Sequence, residues 1–222
     1  DIYLFTNTKF DVTFKTPVFD EDGFKTEEFD SESNSFNSST DDNFRTANAL
    51  AETPAAYTGY KFIGWTDAEG NILSYNAEYK FYPGKDTEIT AIYVATDATV
   101  DYKVLVGMSA DPNAEPTKIR YYVTYYVPEV ELGYEFVSAG VIIVDEANYK
   151  EDMFYHGSGL SGMTDTAPGS IQVATGNQPG AAVTKSNCFS GNTYYAKTWV
   201  IYKDAQGVEH TEYSDLLVIQ KL

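Results

Sequence analysis

One cysteine, two histidines and 15 basic side chains in 222 residues leave several familiar chemistries without material. Cys188 stands alone, so no intrachain disulfide can form. Secretion permits disulfides without requiring them, so a secreted protein with few cysteines fits this composition as well. The 15 bases face 33 acids, for a formal net charge of −18. No basic stripe exists to neutralise phosphates, which excludes nucleic acid as a partner. The same charge disfavours anionic lipid surfaces and reads as solubility and self-repulsion. The longest apolar run, residues 140–144, is far short of the ~20 residues of a membrane span, so no membrane insertion is expected.

What is present is a globular, aromatic-rich chain. Hydrophobic residues make up 43% and charged residues 22%, enough for one large or two ordinary domains with real cores. Nineteen Tyr and 13 Phe favour half-buried pleated surfaces, hence β structure. Residues 1–96 carry 17 acids and 7 bases, and residues 97–222 carry 16 and 8, so neither half is a charged tail on a neutral core.

Alternation predicts a first strand over residues 9–15, with Phe10, Val12 and Phe14 on one face. Residues 17–42 hold nine acids and one base, and read as an extra hairpin or a long surface loop. Residues 41–52 form the best helix candidate, capped by Asp41 or Asp42 and stopped by Pro54. Strands are expected at 60–65, from Ile72, and at 88–94, with a turn at Asp67-Ala68-Glu69-Gly70-Asn71. Further strands are expected at 102–108, 118–127, 134–144, 170–175, 194–203 and 208–219, with one helical turn within 146–153. Asp204-Ala205-Gln206-Gly207 is a strong hairpin signal between the last two.

Gly59-Tyr60-Lys61-Phe62-Ile63-Gly64-Trp65 is followed by Tyr75, Tyr79 and Phe81, and then by Asp86-Thr87-Glu88-Ile89-Thr90-Ala91-Ile92-Tyr93. This pattern resembles the internalin-type B repeat (the Listeria–Bacteroides repeat family). The resemblance implies a compact β-grasp-like module, strung along proteins that bacteria secrete or display. It also implies that Tyr60, Phe62 and Trp65 fill the module's core. The family has a much shorter connection where this chain carries residues 17–42. Tyr194-Tyr195-Ala196-Lys197-Thr198-Trp199-Val200, with the following turn and Tyr213-Ser214-Asp215, resembles a late hairpin of fibronectin type III-like domains.

Catalytic and metal signatures are thin. His156 and His210 lie over fifty residues apart, and Cys188 has no C-x-x-C mate, so a zinc site lacks clustered ligands. Gly157-Ser158-Gly159-Leu160-Ser161-Gly162 spells a dinucleotide fingerprint, but the sequence after it cannot start the helix such a site needs. Asp20-Glu21-Asp22-Gly23 fits no EF-hand, because Val18 and Phe29 would fall on key ligand positions. The acidic segment 17–42 is therefore either a solvated insertion or a looser calcium loop. The 33 acids single out no carboxylate pair for glycoside hydrolysis.

The expected fold is mainly β, with at most one short helix. A small β-grasp-like domain at residues 1–96 precedes an antiparallel fibronectin III/immunoglobulin-like β-sandwich at 97–222. The expected protein is non-catalytic, without cofactor or metal, and extracellular or cell-wall associated. It serves as an adhesion module, protein-binding module or spacer toward a host or neighbouring-cell surface protein or glycan. The alternative is an accessory carbohydrate-binding module of a larger secreted enzyme, with Tyr122, Tyr126 and Trp199 as candidate ligand contacts. Asp1 opens the chain with neither an initiator Met nor a signal peptide, so a mature form or a segment alongside other domains of a parent protein is expected, as a monomer.

Overall fold

The computed structural model describes residues 9–20, 23–37, 49–50, 56–77, 79–81, 86–166 and 181–221. The chain is mainly β and divides into two units, Asp1–Asp101 and Tyr102–Leu222, a few residues beyond the sequence-based boundary. In the first unit β1 (Lys9–Asp20) forms an antiparallel hairpin with β2 (Gly23–Asn37), so the described part of the acidic segment is a hairpin. Pro17 sits where the β1–β2 register shifts, a place that spares a residue with no N–H to donate. The calcium question concerns the acidic segment 17–42, and its residues 21–22 and 38–42 lie outside the described residues.

Strands β4 (Tyr60–Thr66), β5 (Ile72–Ser74) and β7 (Thr87–Ala95) complete a five-stranded sheet in the order β2-β1-β7-β4-β5. β7 runs parallel to β1 and antiparallel to β4, so the first and last strands of the unit lie side by side. Alternation along β7 buries Ile89, Ala91 and Tyr93, which meet Val12, Trp65 and Tyr79 in one core. Two short strands, β3 (Ala49–Leu50) and β6 (Lys80–Phe81), pair with each other. Of the helix expected over 41–52, the described residues Ala49 and Leu50 are therefore extended. The rest of that span lies outside the described residues.

The aromatic-glycine segment has local physical reasons. Between Phe62 and Gly64 the β4–β7 register slips by one residue, so Ile63 is the extra residue of a bulge. A Cβ on Gly64 would stand 2.5 Å from the Ser74 carbonyl oxygen, so only glycine lets β4 and β5 approach there. Trp65 meets Phe62 and Phe14 edge-on, at 5.4 and 6.4 Å between ring centroids, and its indole N–H donates to the Ala77 carbonyl at 3.0 Å.

The second unit is a sandwich. One sheet has the order β12-β9-β8, from β8 (Leu105–Glu115), β9 (Lys118–Tyr126) and β12 (Ala181–Ser186). The other has the order β11-β10-β13-β14, from β10 (Glu135–Asp145), β11 (Thr164–Thr166), β13 (Thr193–Lys203) and β14 (Glu209–Tyr213). β15 (Leu217–Gln220) also pairs with β13, so the strand expected over 208–219 is broken around Ser214. Ile119, Tyr121, Val123 and Tyr125 of β9, with Val127 just after it, face Ala139, Val141, Ile143, Ala196 and Val200 across the core, as alternation predicts. The Thr198 hydroxyl ties the sheets together by donating to the Gly107 carbonyl at 3.1 Å. The strand expected at 170–175 lies outside the described residues.

The helical turns differ from expectation at two places. The α-helical turn α1 (Glu129–Leu132) closes on Gly133 at φ +67, whose N–H donates to the Glu129 carbonyl. The expected turn within 146–153 is instead a pair of 3-10 turns, Glu146–Asn148 and Glu151–Met153. Asp145 caps the first by accepting from the Asn148 amide at 3.0 Å.

Candidate functional site

Three places in the second unit combine chemistry with form. The first is a strap, residues 146–163, laid over the outer face of the larger sheet. The uninterrupted run Val141-Ile142-Ile143-Val144 requires it, because its odd positions fill the sandwich core and its even positions point the other way. Ile142 and Val144 meet Trp199, Phe154 and Leu160 beneath the strap. Rings stack across this seam: Tyr149 on Tyr195 at 4.1 Å and 12°, and His156 on Trp199 at 3.8 Å and 26°.

Asp165 holds the strap's turn. His156 Nδ1 lies 2.9 and 3.0 Å from its two carboxylate oxygens, and the Gly157 amide donates to it at 2.7 Å. The His156 amide in turn donates to the Tyr213 hydroxyl at 3.1 Å. Asp165→Ala removes two partners at once, and hydrogen bonds to a charged acceptor contribute about 1.5–3 kcal/mol each before solvent exposure discounts them. The expected result is faster amide exchange in residues 146–163, equivalent to about 1–2 kcal/mol, with the sandwich core unchanged. Hydrogen-exchange mass spectrometry checks it, and unaltered exchange in the strap would refute it.

The G-x-G-x-x-G stretch belongs to this strap. Gly157, Gly159 and Gly162 take φ of +76, +70 and +77, and strand β11 follows rather than a helix, so no helix N-terminus meets a phosphate.

The second place is the end of the sandwich where the β9–β10 connection and the β13–β14 turn meet. Asp204 organises that turn: its carboxylate accepts from the amides of Gln206 and Val208, each at 2.9 Å, and lies 2.9 Å from His210 Nε2. The D-A-E-G turn after β4 repeats the device, with Asp67 accepting from the amides of Glu69 and Asn71. Tyr134, Tyr202 and His210 stack in a row at centroid spacings of 5.3 Å.

The His210 hydrogen bond above all, then the two turn amides, hold the Asp204 carboxyl below the usual aspartate range. A depressed folded-state value means that the contribution is present above the unfolded-state value and is lost as pH falls through the folded one. Wild type is therefore expected to lose hairpin stability below about pH 4, and Asp204→Asn to flatten that part of the profile. Thermal melts through the acid range check this, and parallel acid profiles for the two proteins would contradict it.

The third place is a cleft of about 200 Å³ between β8 and the break separating β14 from β15, lined by residues 106–108 and 214–217. Ser214 is buried there, accepting from the Thr198 amide and donating to the Asp215 carbonyl, so its hydroxyl is fully engaged.

The ligand candidates read from sequence are not surface rings. Tyr122, Tyr126 and Trp199 are 2%, 5% and 1% exposed. The sequence pattern placed them opposite the core face or in an unsettled register, but the rings on both faces of β9 and of the larger sheet are buried. Desolvation pushes the Tyr122 phenol up to about 12. The Trp199 indole N–H is buried and finds no partner among the described residues. Cys188 is also buried; its thiol donates to the Lys185 carbonyl, and burial pushes its pKa up, which disfavours the reactive thiolate. Among the described residues, no three His, Cys, Asp or Glu side chains are placed to hold a metal ion. Sequence reasoning missed the apolar exposure of α1, whose only signal was the Pro128-Glu129-Val130-Glu131-Leu132-Gly133 run.

Compared with family models, with curated proteins and with solved structures, the chain matches none of them.

Proposed function

We propose that this chain is a non-catalytic segment of a secreted or cell-surface bacterial protein and works as an adhesion or protein-binding module. On this reading the first unit is an internalin-type B repeat and the second a fibronectin III-like sandwich. The observation that carries the reading is the sheet order β2-β1-β7-β4-β5 with β1 and β7 parallel. That is the arrangement expected of a β-grasp sheet, and it puts residues 60–65 of the aromatic-glycine segment on β4, with a structural reason for Gly64, Phe62 and Trp65. The second unit adds support through two antiparallel sheets packed face to face, three described strands against five, in which β14 and β15 both pair with β13 as a last strand broken around Ser214.

An accessory carbohydrate-binding role needs exposed rings on one sheet face. Burial of Tyr122, Tyr126 and Trp199 denies it the three that the sequence offered. The test is adhesion of beads coated with the full chain to epithelial and bacterial cells, in parallel with retention on insoluble polysaccharides. Cell adhesion abolished by protease treatment of the cells is the expected result. Retention on a polysaccharide with no cell adhesion would overturn the reading in favour of the glycan one.

A further inference from the structure

The described part of the second unit exposes large aliphatic side chains at the end where α1 and the β13–β14 turn emerge. Val130 is 94% exposed, Val208 54%, Val137 40% and Leu132 37%. Their proximity follows from register. Glu135 and Phe136 pair with Lys203 and Tyr202, Lys203 pairs with Glu209, and the Phe136 amide donates to the Glu129 carboxylate. Isolated exposed hydrophobics are ordinary, but four on α1, the start of β10 and the β13–β14 turn share one end of the sandwich. α1 buries none of its residues, so the fold gives Val130 nothing to pack on.

The rim of the patch is acidic. Glu129, Glu131, Glu135 and Glu209 are exposed around it, and Lys203 lies 3.1 Å from Glu135. An apolar centre inside a charged rim is the anatomy of a protein-binding face, and the rim's sign selects the partner. A second copy of this chain would bring the same acids and its own net charge of −18 against them, which disfavours self-association. Aliphatic side chains also lack the ring faces on which sugars stack.

We infer that this end of the sandwich docks a polypeptide with an apolar centre and a lysine- or arginine-rich surround. The inference rests on the protein-binding reading above and names the partner's chemistry. Val130 and Val208 supply the buried contact, and the four glutamates steer and orient the basic partner.

The test uses the full chain as bait for a displayed library of random short peptides, with enriched peptides synthesised and their affinities measured. Enriched peptides are expected to combine net positive charge with large apolar residues and to bind more weakly in high salt. Val130→Lys and Val208→Lys are each expected to weaken them by more than about tenfold, because each removes an apolar contact and adds a repulsive charge. Val218→Lys, an exposed position on β15, is expected to leave binding unchanged. All three positions are exposed, so folding is unaffected, which circular dichroism verifies. Enriched peptides that bind the Val130 and Val208 variants as tightly as wild type, or that are neutral or acidic, overturn this surface and leave the protein-binding reading standing. A library that yields no binder overturns both.

Discussion

Trp65→Ala is expected to destabilise the first unit by about 3–5 kcal/mol, the usual cost of emptying an aromatic site in a packed core. The indole is buried and is met by Phe14 and Phe62 edge-on. Alanine leaves a cavity and also orphans the Ala77 carbonyl, which accepts the indole N–H at 3.0 Å. A domain of this size has a net stability of about 5–15 kcal/mol, so the loss is a large share of the whole. Trp65→Phe keeps much of the ring volume and drops the hydrogen bond, and is expected to cost about half as much. Differential scanning calorimetry of the full chain reads both. Since 1 kcal/mol moves the midpoint of a small domain by about 4–8 °C, a shift below about 4 °C for the alanine variant would mean the indole is not a core anchor.

Gly140→Ala is the corresponding prediction for the second unit. An added Cβ would lie 2.4 Å from the Thr166 carbonyl oxygen, 2.4 Å from Trp199 Cζ2 and 2.6 Å from Trp199 Cε2. Backbone blocks one side, and on the other stands an indole pinned under the His156 ring, so neither neighbour can yield cheaply. Overpacking of this kind costs about 1–3 kcal/mol, and more where the backbone must shift. The contact with the indole is separable from the contact with the carbonyl. In a Trp199→Phe background the six-membered ring of the indole is gone, so Gly140→Ala is expected to cost less there than in wild type. Denaturant melts of the four proteins in that cycle decide the matter. Strictly additive costs would show that Trp199 does not enforce the glycine. Gly159 provides the contrast: its φ is +70 but nothing lies within 4 Å of an added Cβ, so alanine there meets only the backbone penalty of about 1–2 kcal/mol.

Much of the fold was legible before any coordinates, and the reasons differ by element. β9 could be read residue by residue because its alternation from Ile119 to Val127 matches one buried face. The hairpin at residues 204–207 was legible because Asp and Gly at those spacings have one dominant use, which the carboxylate hydrogen bonds of Asp204 display. β11 and β12 escaped notice: β11 is three residues long, and β12 takes its place only by pairing with β9. α1 was missed because four residues carry no helical period, and its stop at Gly133 is a tertiary-scale detail of one backbone angle.

The candidate site was less legible than the fold. Tyr122 and Tyr126 were chosen because they stand opposite the apolar face of their strand, and Trp199 because its register was unsettled; both grounds hold only where one face of a sheet meets water. The strap breaks that assumption for Trp199, and strap residues show no sign in sequence of which sheet face they will cover. Exposure of Val130 was equally invisible, since a valine between two glutamates looks the same whether it packs or protrudes.

By itself the sequence determined the class of structure: alternation and aromatic content require sheets, and glycine-aspartate punctuation places several turns. It also determined the sign of the field around the molecule, because 33 acids face 15 bases whatever its shape. Only the tertiary structure decided which apolar residues are core and which are surface. That decision depends on what covers each face of each strand, and coverage comes from segments distant in sequence. It buried three rings that the sequence offered to a ligand and left Val130 and Val208 in water at one end of the sandwich.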